Sequence, residues 1–238
     1  MTSAPRIEHI TASTGEWFDA HVFVPEEDGP GIVLLQEIFG VGEFLQTKAR
    51  LLADLGYVVL VPDLFWRVER NVSLAHDEAA LHTALGYMGR FSEVPKIAIS
   101  SDLVAALAHL RAIPEVTGKV AAMGYCLGGR LAYELAAASD PDACVSYYGS
   151  GIAAELDLVD RITCPVLFHF GGADAYIPSE EIDAIVAAVA GRPGTEVIVQ
   201  ERAGHAFENS FAAMFSNPEA ARVSWPLTVD FLARFLRP

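Results

Sequence analysis

From residue 32 onward, short apolar runs that lack a polar face alternate with stretches of helical periodicity, and this alternation narrows the possible folds more than any other feature. The runs "IVLLQ" and "YVVLVP" are rich in β-branched and apolar side chains, as strands covered on both faces must be. Between them, "EFLQTKARLLADLG" places apolar residues at helical spacing and stops at Gly56. The pattern continues as helix "AISSDLVAALAHLRAI", strand "KVAAMGY", helix "RLAYELAAAS", strands "CVSYYG" and "PVLFHFGG", helix "SEEIDAIVAAVAG", strand "TEVIVQE" and helix "SWPLTVDFLARFL". Parallel strands need crossovers of this kind, so the chain reads as α/β, with a mostly parallel central sheet and helices on both faces. The opening "RIEHITASTGEWFDAHVFVP" alternates about Gly15 and predicts an antiparallel hairpin at the sheet edge. Residues 63–95 exceed a simple crossover and predict a small cap, a short helix plus a loop. At 238 residues and 52% hydrophobic, the chain suffices for one domain over 1–238.

Acidic side chains outnumber basic ones 31 to 16, a formal charge of −15 that opposes attraction to phosphate backbones and anionic lipid. Nucleic acid and membrane are therefore not expected partners. No run approaches the ~20 apolar residues of a membrane span, and "MTSAPRIEHI" lacks the basic-then-apolar order of a secretory signal, so the expected location is cytoplasmic. The three cysteines, at 126, 144 and 164, suit neither a disulfide framework nor a paired-cysteine zinc site, and reduced thiols are expected. Cys144 and Cys164 lie in or beside apolar strand-like runs, where cysteine serves as a small hydrophobe.

Cys126 stands apart. It follows the strand "KVAAMGY" directly and gives Gly-x-Cys-x-Gly before a helix, the thiol version of a nucleophile elbow. The glycines remove side chains where the turn is tightest, the helix N-terminus favours thiolate, and the Leu127 N–H can point at a developing oxyanion. Taken alone, the same motif also suits a packing turn. Asp174 in "GGADAYIP" and His205 in "ERAGHAF" again follow predicted strands, with Gly204 leaving room for the ring to turn inward. The order nucleophile, acid, histidine at the carboxyl ends of strands argues for a common site. His9, His21, His76, His82 and His109 have no partner that sequence can name and are read as non-catalytic, and His169, inside a strand, as core packing. No metal or cofactor site is expected.

These motifs resemble those of the dienelactone hydrolase (carboxymethylenebutenolidase) family of the α/β-hydrolase fold: "LLQEIFGV" with Glu37, "VPDLF", "GYCLGG" with Cys126, "GGADAYIP" with Asp174 and "AGHAF" with His205. The likeness spans nearly the whole chain. It implies that the Glu37 carboxylate contacts the resting thiol, where a negative group disfavours a second charge and protects sulfur from oxidation. It also implies that the Ile38 N–H joins that of Leu127 in the oxyanion hole. The mechanism implied is attack of Cys126 on an ester or lactone carbonyl, with His205 sharing the thiol proton, Asp174 orienting the ring, and a thioester intermediate hydrolysed by water. Because thiolate is itself a good leaving group, activated esters and enol lactones are favoured.

The small-molecule substrate is expected to differ from dienelactone itself. Where the family has arginines for a substrate carboxylate, this chain has Asn209 and Leu81, and Leu85 and Met88 replace family aromatics. A neutral or differently anchored ester follows, unless Arg67, Arg70 or Arg90 compensates from the loop. Trp66, Tyr87 and Phe207 are further pocket candidates, with packing as the competing reading. Two other readings stay open: acyl transfer to an alcohol or amine through the same site, and a non-catalytic scaffold used for ligand binding or thiol redox sensing. Oligomeric state is not legible.

Overall fold

The computed structural model describes residues 5–237, so Met1–Ala4 of the opening stretch read for a leader lie outside the described residues. The chain divides into two compact units, one up to Val120 and one from Ala121 onward.

In the first unit, β1 (Arg6–Thr11) and β2 (Trp17–Phe23) form the predicted hairpin, in register from Arg6↔Val22 to Thr11↔Trp17. Gly15, at φ 85°, donates its N–H to the Ala12 carbonyl at 2.9 Å and closes the turn. β2 pairs antiparallel with β4 (Val58–Pro62), which pairs parallel with β3 (Gly29–Leu35). Every residue of β4 is buried, which explains its continuous apolar run. Helix α1 (Glu43–Asp54) makes the β3-to-β4 crossover and buries Phe44, Leu45, Ala49, Leu52 and Ala53. Helix α2 (Glu78–Ser92) occupies the predicted cap segment but is 15 residues long rather than short. It buries only Ala84 and Phe91, so its apolar stripe is too thin to declare its length in sequence. Helix α3 (Lys96–Ala112) buries Ile99, Leu103, Ala106, Leu107 and Leu110, and Leu110 lies so close over β3 that a Cβ on Gly31 would stand 3.0 Å from it.

The second unit contains β5 (Val116–Tyr125) from Ala121 onward, α4 (Leu127–Ala138), β6 (Ala143–Tyr147), β7 (Val166–Gly171), α5 (Ser179–Val189), β8 (Glu196–Gln200) and α6 (Pro218–Leu236). Its strands are all parallel, in the order β5-β6-β7-β8. β6 and β7 are buried throughout. Parallel pairing sets the carboxyl ends of these strands along one rim, and the segments after β5, β7 and β8 carry Cys126, Asp174 and His205. Two features depart from the sequence reading. A ten-residue 3₁₀ segment, Ile152–Arg161, follows β6. Helix α6 starts at Pro218 rather than Ser224, with the Asn217 side chain accepting from the Ala220 N–H and Pro226 carried inside the helix. Among the described residues, no helix is long and apolar enough to cross a membrane.

Candidate active site

Cys126 occupies the one-residue turn between β5 and α4 at φ 55°, ψ −116°, a region that side-chain-bearing residues rarely enter. The strained turn is held from both sides: the Cys126 N–H donates to the Tyr147 carbonyl at 3.0 Å, and the Cys126 carbonyl accepts from Gly129 at 3.0 Å and Arg130 at 3.2 Å. The glycines are steric requirements. A Cβ on Gly124 would lie 2.1 Å from the Gly128 carbonyl oxygen, and one on Gly129 would lie 2.5 Å from that of Tyr147. Since backbone atoms cannot rotate away, Gly124→Ala is expected to destabilise by about 3 kcal/mol. Gly86→Ala on α2, where a Cβ meets nothing within 4 Å, is expected to stabilise by about 0.5–1 kcal/mol. Chemical denaturation of both variants checks the contrast.

The loop after β8 reaches the loop after β7 through a second glycine pair. A Cβ on Gly171 would stand 2.4 Å from the Ala203 carbonyl oxygen, and one on Gly172 would stand 2.8 Å from Glu201 backbone. The Ala173 N–H donates to Ala203 at 2.9 Å across this contact. Gly204, expected to make room for the histidine, does not carry that duty, because its Cβ would meet the Ala173 carbonyl only at 3.8 Å.

These contacts deliver the three side chains to one another. His205 Nε2 lies 3.0 Å from Cys126 Sγ, His205 Nδ1 lies 2.7 Å from Asp174 Oδ2, and Asp174 Oδ1 accepts the Tyr176 N–H at 2.8 Å. The Asp174 side chain is fully buried and that of His205 is 9% exposed, whereas Cys126 is partly exposed. Burial pulls the His205 imidazole down, but the Cys126 charge, hydrogen bonds to Asp174 and Cys126, and the Asp174 charge together push it up to about 10. Burial is the main cause that pushes the other two thiols up, Cys164 to about 11 and Cys144 well above its ordinary value, which leaves both as protonated small hydrophobes. Leu127 is the first residue of α4, where backbone N–H groups have no intrahelical acceptor.

Sequence gave no sign of the aromatic groups around the imidazole. Tyr148, buried and at φ 38°, sets its ring 5.2 Å from that of His205, and Tyr176 approaches edge-on at 5.1 Å. Beneath the His205 loop, Glu208 is buried and bonded to Ser224 of α6, while the Tyr147 hydroxyl and His169 Nε2 meet Thr228 Oγ1 at 2.6 and 3.0 Å. His169 stacks on Tyr147 at 4.3 Å, and burial pushes it down to about 3, so it is a neutral core imidazole.

Glu37 and Ile38 lie in the turn after β3. Glu37 Oε1 is 2.9 Å from His76 Nε2, with both side chains buried. The Val41 N–H to Val72 carbonyl bond at 2.8 Å and the Leu74 N–H to Phe39 carbonyl bond at 3.0 Å bring the histidine there. That pairing spans 39 positions and leaves no local signal in the sequence.

The candidate pocket residues have varied surroundings. Trp66 is buried, stacked on Phe18 at 5.5 Å, and donates from Nε1 to Asp102 Oδ2 at 2.9 Å. Arg67 grips the same carboxylate through two bonds of 2.7 and 2.9 Å. Arg70 donates to the Trp17 carbonyl and lies over the Trp17 ring, and Arg90 donates to the Val68 carbonyl. Tyr87, Leu81 and Met88 are half-buried on α2, and Leu85 is 53% exposed. Phe207 is fully buried against Tyr148 at 5.1 Å, and the fully buried Asn209 turns its Oδ1 to the Phe211 and Ala212 amides. Among the described residues, no group of three or more His, Cys, Asp or Glu side chains could hold a metal ion.

Comparison with known proteins adds the following. A model of the dienelactone hydrolase family matches residues 18–236. Carboxymethylenebutenolidase of Pseudomonas sp. (strain P51) is 36% identical over 227 residues, covering 94% of this chain and 93% of that protein. Carboxymethylenebutenolidase 1 of Cupriavidus pinatubonensis is 35% identical over 231 residues, covering 96% and 97%. Among solved structures, a dienelactone hydrolase-like promiscuous phosphotriesterase from metagenomic libraries superposes with a TM-score of 0.80 at 25% identity, covering 98% of this chain and all of that one. Acylaminoacyl peptidase of Pyrococcus horikoshii superposes with a TM-score of 0.73 at 16% identity, covering all of this chain and 42% of that one, a likeness of fold alone: the α/β-hydrolase fold.

Proposed function

Because the chain belongs to the dienelactone hydrolase family of hydrolases, we propose that it cleaves activated carboxylic esters or lactones through a thioester on Cys126. One observation carries this reading: a single imidazole lies 3.0 Å from sulfur on one nitrogen and 2.7 Å from a buried carboxylate on the other. An imidazole held near 10 keeps its proton at neutral pH and stands hydrogen-bonded to the sulfur that acts as nucleophile in this mechanism. The thiolate attacks the carbonyl carbon, forming a C–S bond and moving the C=O pair onto oxygen, where the Leu127 N–H at the helix end stabilises it. Collapse breaks the C–O bond, and His205 gives its proton to the departing alkoxide. The neutral imidazole then takes a proton from water as the water attacks the thioester, and collapse expels the thiolate and releases the acid. Asp174 fixes the tautomer and orientation of the ring throughout. The family likeness assigns Glu37 and the Ile38 amide to the same reaction, as the anion that restrains the resting thiol and as a second oxyanion donor, and this assignment rests on the likeness.

A substrate without a carboxylate suits the residues better than an anionic one. The guanidiniums of Arg67, Arg70 and Arg90 are engaged by Asp102, Trp17 and Val68, and Asn209 and Leu81 bring no cation. Rapid quenching with p-nitrophenyl acetate followed by intact-mass analysis is expected to show one acetyl group on the Cys126 peptide, lost on further incubation. Turnover without that adduct, or an adduct elsewhere, overturns the thioester route.

A further inference from the structure

The His205 imidazole has a tyrosine near each of two sides, and the two differ in one respect that matters for substrate. Tyr148 is fully buried and belongs to the core, whereas Tyr176 is 55% exposed, with its ring edge-on to the imidazole at 5.1 Å and an interplanar angle of 65°. Its place is fixed by the catalytic constellation itself, because the Tyr176 N–H donates to the Asp174 oxygen that His205 does not use, at 2.8 Å. Ser150 Oγ donates to the Tyr176 carbonyl at 3.5 Å. The main chain that carries the ring is therefore tied to the carboxylate that holds the imidazole.

We propose that Tyr176 is a specificity-determining residue whose exposed ring forms a wall for the leaving group of the ester, selecting planar aromatic or enolic alcohols over flexible alkyl ones. The inference rests on the reading of Cys126, Asp174 and His205 as the hydrolytic set. In that reading the imidazole delivers its proton to the leaving oxygen, which must come within hydrogen-bond reach of Nε2, about 2.6–3.2 Å. Whatever is bonded to that oxygen then lies beside the imidazole. Tyr176 presents an exposed aromatic surface 5.1 Å from the imidazole centroid, within reach of a group held at that ring, and an aromatic leaving group gains offset or edge-on stacking that an alkyl group does not. The acyl portion is bonded to the carbonyl carbon at sulfur, so it is not required to meet this ring.

The test uses acetate esters of aryl and fluoroalkyl alcohols matched in leaving-group acidity, with kcat/KM as the readout because it reports acylation. Tyr176→Leu is expected to lower the aryl-to-alkyl ratio about 3- to 10-fold, with Tyr176→Trp retaining it. The ratio between the acetate and butyrate of one phenol and the alkaline limb of the pH profile are both expected to stay as in the parent. An unchanged aryl-to-alkyl ratio in Tyr176→Leu overturns the proposal. So does an equal loss on every ester with a shifted pH profile, since that marks a ring that merely shields His205. Full turnover by Cys126→Ala instead overturns the hydrolytic reading, a separate result.

Discussion

Cys126→Ala is expected to lower kcat/KM for an activated aryl ester by about 10⁴-fold or more, with an unchanged far-UV circular dichroism spectrum. In the proposed mechanism, attack and thioester formation both reside in one sulfur, and no other thiol stands in: burial keeps Cys144 and Cys164 protonated. Cys126→Gly separates chemistry from strain. Glycine enters φ 55°, ψ −116° freely, so this variant is expected to be equally inactive yet more stable than Cys126→Ala by about 1–3 kcal/mol in urea denaturation. Equal stability of the two would mean that the elbow stores no strain. Residual turnover near the parental rate would remove Cys126 from the mechanism.

Asp174→Asn is expected to reduce kcat by about 10²- to 10⁴-fold, because an amide in place of Oδ2 can donate to the ring and reverse the tautomer that faces sulfur. It also changes how stability depends on pH. His205 lies near 10 in the folded chain, against an ordinary value of 6.5, so its protonated form is favoured by folding. That contribution is present in full below about pH 6.5 and is lost as pH rises through about 10. Asp174→Asn withdraws one of the interactions that raise the imidazole, so its melting temperature is expected to fall less than the parent's between pH 7 and pH 10.5. Parallel curves across that range would show that the carboxylate does not hold the proton.

The strands and their alternation with helices were legible because burial on both faces leaves a continuous apolar run, as in β4 and β7. Cys126 and Asp174 stood out for a related reason, since they follow the buried end of β5 and the buried β7, while His205 follows the shorter apolar core of the half-exposed β8; parallel pairing sends all three to one rim. What sequence withheld depends on distant contact. The glycines that dock the His205 loop are Gly171 and Gly172, not its neighbour Gly204, and only the approach of residues 201 and 203 separates these cases. His76 on Glu37 and Tyr176 on His205 have no periodicity to announce them. The start of α6 carries a local signal in Asn217-Pro218, an N-cap followed by proline, and Pro226 sits inside the helix, where proline ordinarily interrupts one. For the 3₁₀ segment, a kink at Glu155 breaks the regular spacing on which pattern reading depends.

The bond between Glu208 and Ser224 ties inheritance at two places in the chain 16 positions apart. Removing the hydroxyl alone takes a hydrogen bond from a buried carboxylate, while removing the carboxylate alone leaves the hydroxyl with only the longer bond to the Ala221 carbonyl at 3.4 Å. Drift toward an apolar pair therefore has to pass through a less stable single mutant or take both steps together. Substitutions at these positions should travel as couples through the lineage of this chain, although neither side chain touches the sulfur.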